Sequence, residues 1–179
     1  MYQLCWLLLS VAALAAPMPA RYSAAFSYGH GQEADEHYNN QGFGLYFCRH
    51  LPPLDAKLYP ALRLHYSHWQ AATPEHGSNH NLALGLDLRA YLYPPRQQRI
   101  NGFLQLVSGP TYLARHRLGR RHLGALVALE TELGAGVQWW YNQRSWSCAL
   151  SFIHVCNAGL AKPNKAFNLP WVLRLERGW

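Results

Sequence analysis

The sequence predicts an all-β chain folded as an eight-stranded antiparallel outer-membrane β-barrel. Three observations carry that prediction. Apolar and polar residues alternate with period two in segment after segment, no helical periodicity extends over a useful length, and tight turns alternate with longer loops.

The first segment sets Tyr22, Ala24, Phe26 and Tyr28 against Ser23, Ala25, Ser27 and Gly29, and the second sets Phe43, Leu45 and Phe47 against Gly42, Gly44 and Tyr46. In the third, Leu62, Leu64 and Tyr66 alternate with Arg63, His65 and Ser67. The fourth is the clearest, with Leu82, Leu84, Leu86, Leu88 and Leu92 on one face and Gly85, Asp87, Arg89 and Tyr91 on the other. The fifth, 98–108, alternates less cleanly around Gly102. In the sixth, Leu123, Ala125, Val127, Leu129, Leu133 and Val137 oppose Gly124, Glu130, Glu132, Gly136 and Gln138. The seventh carries Trp146, Leu150 and Phe152 opposite Ser145, Ser147, Ala149 and Ser151; the eighth carries Trp171, Leu173, Leu175 and Trp179 opposite Arg174, Glu176 and Gly178. Residues two apart on a strand point the same way, so each segment has one apolar face and one small or polar face.

Two barrels fit this pattern: a soluble lipocalin-like barrel with its apolar face inward, and an outer-membrane barrel with that face in lipid. The polar set suits a narrow, mutually paired lumen, with Glu130 and Glu132 pairing with Arg89 or Arg174, but it also suits the outside of a soluble barrel. Connections favour the membrane. The turns at 93–96 and 141–143 are tight and the one at 51–54 is moderate, whereas 31–41, 70–80, 109–121 and 157–168 read as long loops. Trp69, Tyr91, Tyr93, Trp139, Trp140, Tyr141 and Trp171 lie near strand ends, where interfacial girdles form.

The 179 residues suffice for one domain, assigned to 21–179. Residues 1–20 read as a secretory signal peptide cleaved somewhere between 15 and 20, because the apolar run to Ala16 is too short for a bilayer and ends in small residues. A net charge of +7 predicts affinity for anionic partners, and export points to phosphate-bearing lipid rather than nucleic acid. With Cys5 in the signal segment, Cys48, Cys148 and Cys156 remain, an odd number that leaves a free thiol. Cys48 and Cys148 fall on opposite faces, which disfavours a disulfide between them. No cluster has metal-ligand spacing, and neither metal nor cofactor is expected.

The chemistry-bearing segment is His154-Val155-Cys156-Asn157-Ala158-Gly159. His154 and Cys156 share the outward face of the seventh strand as it enters a long loop, so a general base and a nucleophile sit together on the lipid wall at the outer rim. Asn157 and Gly159 are candidates for an oxyanion hole. In the loop Arg115-His116-Arg117-Leu118-Gly119-Arg120-Arg121-His122, the side chains of Arg115, Arg117, Arg120 and Arg121 are candidates for gripping lipid phosphates.

The run from Ile153 to Leu160, followed by Lys162-Pro163-Asn164, resembles the C-terminal signature of the lipid A 3-O-deacylases, the PagL family. That resemblance implies an eight-stranded Gram-negative outer-membrane esterase that removes the 3-O acyl chain from lipid A of lipopolysaccharide. Its implied partners are lipid A and outer-membrane lipids, with a homodimer left open. The family has Ser at the position of Cys156 and Glu at that of Asn168, so the implied set here is Cys156, His154 and Asn168, as in Cys-His-Asn hydrolases. Asn168 has the opposite parity from outward-facing Trp171, and reaching His154 requires a bulge near Pro170. The alternative is a catalytically inactive member serving as a structural or lipopolysaccharide-binding barrel.

Overall fold

The computed structural model describes residues 20–33, 38–73, 77–95 and 99–179; the expected signal segment falls outside them but for Ala20. The strands are β1 (Tyr22–Glu33), β2 (Tyr38–His50), β3 (Leu58–Ala71), β4 (Ser78–Tyr91) and β5 (Ile100–Leu113). A two-residue hairpin, β6 (Arg117–Leu118) and β7 (Arg121–His122), precedes β8 (Val127–Tyr141), β9 (Arg144–Cys156) and β10 (Phe167–Gly178). All but β6 and β7 pair antiparallel in a closed ring ordered β1-β10-β9-β8-β5-β4-β3-β2. The barrel strands run 12 to 15 residues, more than the roughly 9–11 tilted residues that cross a bilayer.

Accessibility decides between the two barrels. Phe26, Leu45, Leu64, Leu84, Leu106, Leu133, Leu150 and Leu173 all point outward and are about half exposed, whereas Arg63, Asp87, Gln105, Glu132 and Arg174 are buried inside. A soluble barrel has the reverse arrangement. In water this apolar belt would be an unsustainable exposed patch, and in a bilayer it is the lipid contact surface.

At mid-height the lumen is an ionic network. Arg63 donates to Glu132 at 2.6 Å and Arg174 at 3.2 Å, with Gln105 and Ser151 donating to the same carboxylate. Glu130 receives His65 at 2.6 Å and Asn81 at 2.9 Å, while Arg89 bonds Glu176 at 2.6 Å and Asp87 at 3.2 Å. Glu132 thus pairs with Arg174 as expected and also with Arg63, but Glu130 takes His65, and Arg89 serves neither of them.

The outer end of the lumen departs from the expected polar filling. Trp69, Leu113, Leu118, Leu123, Ile153, Val155, Phe167, Leu169 and Val172 form an apolar plug there. Trp69 and Tyr91 are therefore not girdle residues: both point inward, Trp69 into this plug and Tyr91 against Phe103. Leu123, expected on the outward face of the sixth strand, lies in the preceding loop and is fully buried.

The connections differ from expectation at both ends. β5 runs on to Leu113, and β1 to β4 continue into the segments expected as long loops, leaving 34–37 and 72–77 between barrel strands on the side where 114–126 and 157–166 are long; opposite them, the tight turn expected at 93–96 is the longer connection 92–99, and the one expected at 51–54 spans 51–57. At that same end, Asn142 and Gln143 form a two-residue turn with φ of 48° and 61°, the left-handed pair that a tight hairpin requires.

Candidate active site

β9 is anchored from inside. Ile153 and Val155 are buried in the apolar plug, which fixes the alternate residues His154 and Cys156 outward and half-buried at the outer end of the wall. Their ladder partners on β8 are Thr131 and Leu129. Phe152, one step down the same face, stacks its ring on His154 at 6.4 Å.

The third member arrives through a register shift. β10 pairs Phe167, Asn168 and Leu169 with Val155, His154 and Ile153; the ladder then slips between Leu169 and Val172. This bulge at Pro170 and Trp171 is the one the parity conflict required. Pro170 has no N–H to contribute to the ladder, and a bulge is where a strand tolerates that loss. Phe167 and Leu169 fill the plug, Asn168 turns outward, and His154 Nδ1 lies 2.8 Å from Asn168 Oδ1. An amide oxygen only accepts, so the shared proton sits on Nδ1 and the lone pair is left on Nε2, the nitrogen a general base uses. Asn40 on β2 holds the Asn168 carbonyl at 3.3 Å. Among the described residues no hydrogen bond joins Cys156 to His154; the two are neighbours on one face, as in many substrate-free hydrolase sites.

The segment after β9 corrects one expectation. Asn157 is fully buried: its side-chain amide donates to Ala161 O at 2.7 Å and to Leu123 O. Its Oδ1 accepts from Gly159 N at 3.0 Å, and its own N–H donates to Asn164 Oδ1 at 3.1 Å. The N–H groups of Asn157 and Gly159 are thus consumed inside the loop, and that of Leu160 bonds Asn157 O. Ala158, exposed and at φ 52°, follows Cys156 most closely among the backbone donors of this turn outside these bonds.

The basic loop lies alongside. Leu118 is sunk in the plug, Asn79 ties the backbone of Arg115 and Arg117, and the β6–β7 turn leaves Arg115, Arg117 and Arg120 exposed with Arg121 half-buried. Lys165 N bonds His122 O at 3.0 Å. Together with the bond from Asn157 to Leu123, this stitches the arginine hairpin to the loop that follows Cys156. Cys48 is buried in the lumen, Cys148 faces outward, and all three described thiols are free.

The residues that sequence reasoning missed are Thr131 and Asn40. Thr131 could have been found by counting back from the two-residue turn at Asn142-Gln143, which pairs it with His154; Asn40 leaves no such trace.

The family described as Lipid A 3-O-deacylase (PagL) matches residues 41–173, which hold all of this geometry but Asn40. The chain belongs to this family. It is similar in structure to the outer membrane enzyme PagL, with a TM-score of 0.64 and 20% identity over 87% of this chain and 97% of that one. Neisserial surface protein A gives a TM-score of 0.59 at 9% identity, covering 88% of this chain and 96% of that one. At these identities the likeness is one of fold, and it is the fold of outer-membrane barrels. No curated protein matches the chain in sequence. As a PagL-family barrel with a lipid-facing belt, the protein resides in the Gram-negative outer membrane.

Proposed function

We propose that this barrel removes the 3-O-linked acyl chain from lipid A, with Cys156 as nucleophile, His154 as general base and Asn168 as the residue that orients the imidazole. The observation that carries the reading is the 2.8 Å bond from His154 to Asn168 on the lipid wall, one residue pair from a free thiol.

In the first half-reaction Cys156 Sγ attacks the ester carbonyl carbon while His154 Nε2 takes the thiol proton. The tetrahedral oxyanion collapses, the bond from the acyl carbon to the sugar oxygen breaks, and His154 passes its proton to that departing oxygen. Water, deprotonated by the same Nε2, then attacks the thioester carbonyl; the second intermediate collapses, the C–S bond breaks, the proton returns to sulfur and the fatty acid leaves. Ala158 N–H is the proposed oxyanion donor in place of Asn157 and Gly159. The two departures from the family pattern support each other chemically. A thiol ionises far more readily than a hydroxyl, so a Cys nucleophile asks less of the neutral Asn168 than Ser would. Arg115, Arg117, Arg120 and Arg121 are proposed to hold the phosphates of lipid A beside the site, with no metal or cofactor in the scheme.

The test is incubation of the purified barrel in detergent with lipid A, with acid quenching and intact-mass measurement of the protein. Released 3-hydroxy fatty acid and an acyl adduct on wild type, both missing in C156A and H154A, are expected. Folded wild type that releases nothing, or C156A that releases as much as wild type, overturns the reading. A second reading, a catalytically silent lipopolysaccharide-binding barrel, is favoured by the paired absence of the family's Ser and Glu. It is the reading that remains if the folded wild type leaves lipid A intact.

A further inference from the structure

Asn168 reaches His154 only because β10 is bulged. Without the extra residue, the outward set Trp171, Leu173 and Leu175 would continue to Leu169, and Asn168 would point into the apolar plug. The seat of the bulge lies on the neighbouring strand β1. Pairing sets His30 opposite Trp171 and therefore Gly31 beside Pro170. A Cβ on Gly31 would stand 2.0 Å from Pro170 Cγ and 2.3 Å from its Cδ, with Pro170 Cβ at 3.4 Å. The pyrrolidine ring occupies the space where a side chain of residue 31 would go. Gly29, two residues earlier on the same inward face, is crowded by the same segment: its Cβ would stand 2.8 Å from Val172 Cγ2 and 3.3 Å from Trp171 O. A third observation converges on this place. Asn40, the ladder partner of Gly31 on β2, extends across β1 to hold the Asn168 carbonyl.

We propose that Gly31 is a positioning residue of the active site: its missing side chain is the notch that seats Pro170, and the seated bulge turns Asn168 toward His154. The proposal rests on the reading of His154 and Asn168 as catalytic partners. The backbone at Gly31 is ordinary extended strand, so the requirement for glycine comes from close approach and not from conformation. With alanine at 31 the ring must retreat by about 1.5 Å to reach an ordinary carbon–carbon contact near 3.5 Å. Displacement on that scale at a catalytic group costs up to about 100-fold in rate. The clash involves Cγ and Cδ, which alanine at 170 lacks, so the damage is reversible by a second substitution.

The experiment compares G31A, P170A and G31A/P170A as full barrels in detergent, with G102A as control; a Cβ at Gly102 meets Leu92 Cδ1 at 2.8 Å, far from the site. Each is read by the 15N signals of the His154 imidazole, which report the Nδ1–H bond, and by kcat and KM for deacylation. In G31A the bonded Nδ1–H signal is lost and kcat falls about 10- to 100-fold with KM little changed. In G31A/P170A both readouts return to those of P170A, and G102A moves neither. G31A that keeps the wild-type imidazole signal overturns the proposal, as does a folded double variant whose signal falls short of that of P170A. Should G31A not fold, a double variant that folds with the His154 signal of P170A supports the notch, and one that does not fold overturns it. If wild type releases no fatty acid, the imidazole signals still decide the role of Gly31, and that failure belongs to the deacylase reading alone.

Discussion

Inside the barrel, Glu132 is bonded by Arg63, Arg174, Gln105 and Ser151, and among the described residues each charged neighbour at mid-height has an opposite charge beside it. On the outer wall, a few ångströms of sheet away, the His154 side chain makes a single hydrogen bond among the described residues, to Asn168, while the Cys156 thiol makes none. Both clusters are polar groups placed in apolar surroundings. The lumen gives each of these charged side chains an opposite charge, because a buried charge left without a partner is costly, although Arg63 Nη1 and Asp87 Oδ1 have no hydrogen bond of their own. The outer cluster leaves its imidazole nitrogen and its thiol uncommitted on a face otherwise made of Phe152, Leu150 and Leu133, and an uncommitted donor and acceptor is what chemistry on a lipid needs. One region stabilises the barrel; the other leaves its polar groups available to a substrate.

If that division is right, substitutions in the two regions separate stability from activity. H154A and C156A lower deacylation by at least about 1,000-fold while unfolding in urea shifts by under about 0.5 kcal/mol. E132A does the opposite. It strands the Arg63 and Arg174 guanidinium groups and destabilises the barrel by about 3–5 kcal/mol, measured as a lowered urea midpoint, with turnover per folded molecule unchanged. N168A sits between them: kcat falls about 100-fold through loss of imidazole orientation, with unchanged unfolding. Restoring the family pair, C156S with N168E, raises activity above that of C156S alone, since a hydroxyl nucleophile needs the charge that Asn168 lacks. The smallest effect is at the rim. R115A and R117A each raise KM about five-fold, matching the roughly 1 kcal/mol of one arginine near a phosphate-bearing surface, and the difference shrinks in added salt.

Strand alternation alone made the barrel legible, because burial follows parity with few breaks from Tyr22 to Gly178. The same alternation puts His154 and Cys156 on the outer wall, and the parity conflict at Asn168 by itself requires the bulge. What alternation could not give was height along the barrel. Trp69 and Tyr91 lie near strand ends and have the right type for a girdle, but their parity, shared with Ser67 and with Arg89, turns both inward; Leu123 is apolar because it caps the end of the lumen from a loop, not because it touches lipid. The partners of Glu130 were equally illegible: His65 and Asn81 come from β3 and β4, across the ring, and pairing through a lumen depends on stagger that no local pattern encodes. The oxyanion donors are hidden from the sequence for a related reason. Asn157 and Gly159 carry the signature, but their N–H groups close the turn on itself, an accounting that needs the loop's own hydrogen bonds.

The most direct measurement is the mass spectrum of lipid A from a Gram-negative strain expressing the wild-type chain, set beside strains expressing C156A and an empty vector. Loss of one 3-hydroxyacyl group in the wild-type strain alone is the predicted result. Unchanged lipid A in that strain, with the barrel folded in its outer membrane, would contradict the account.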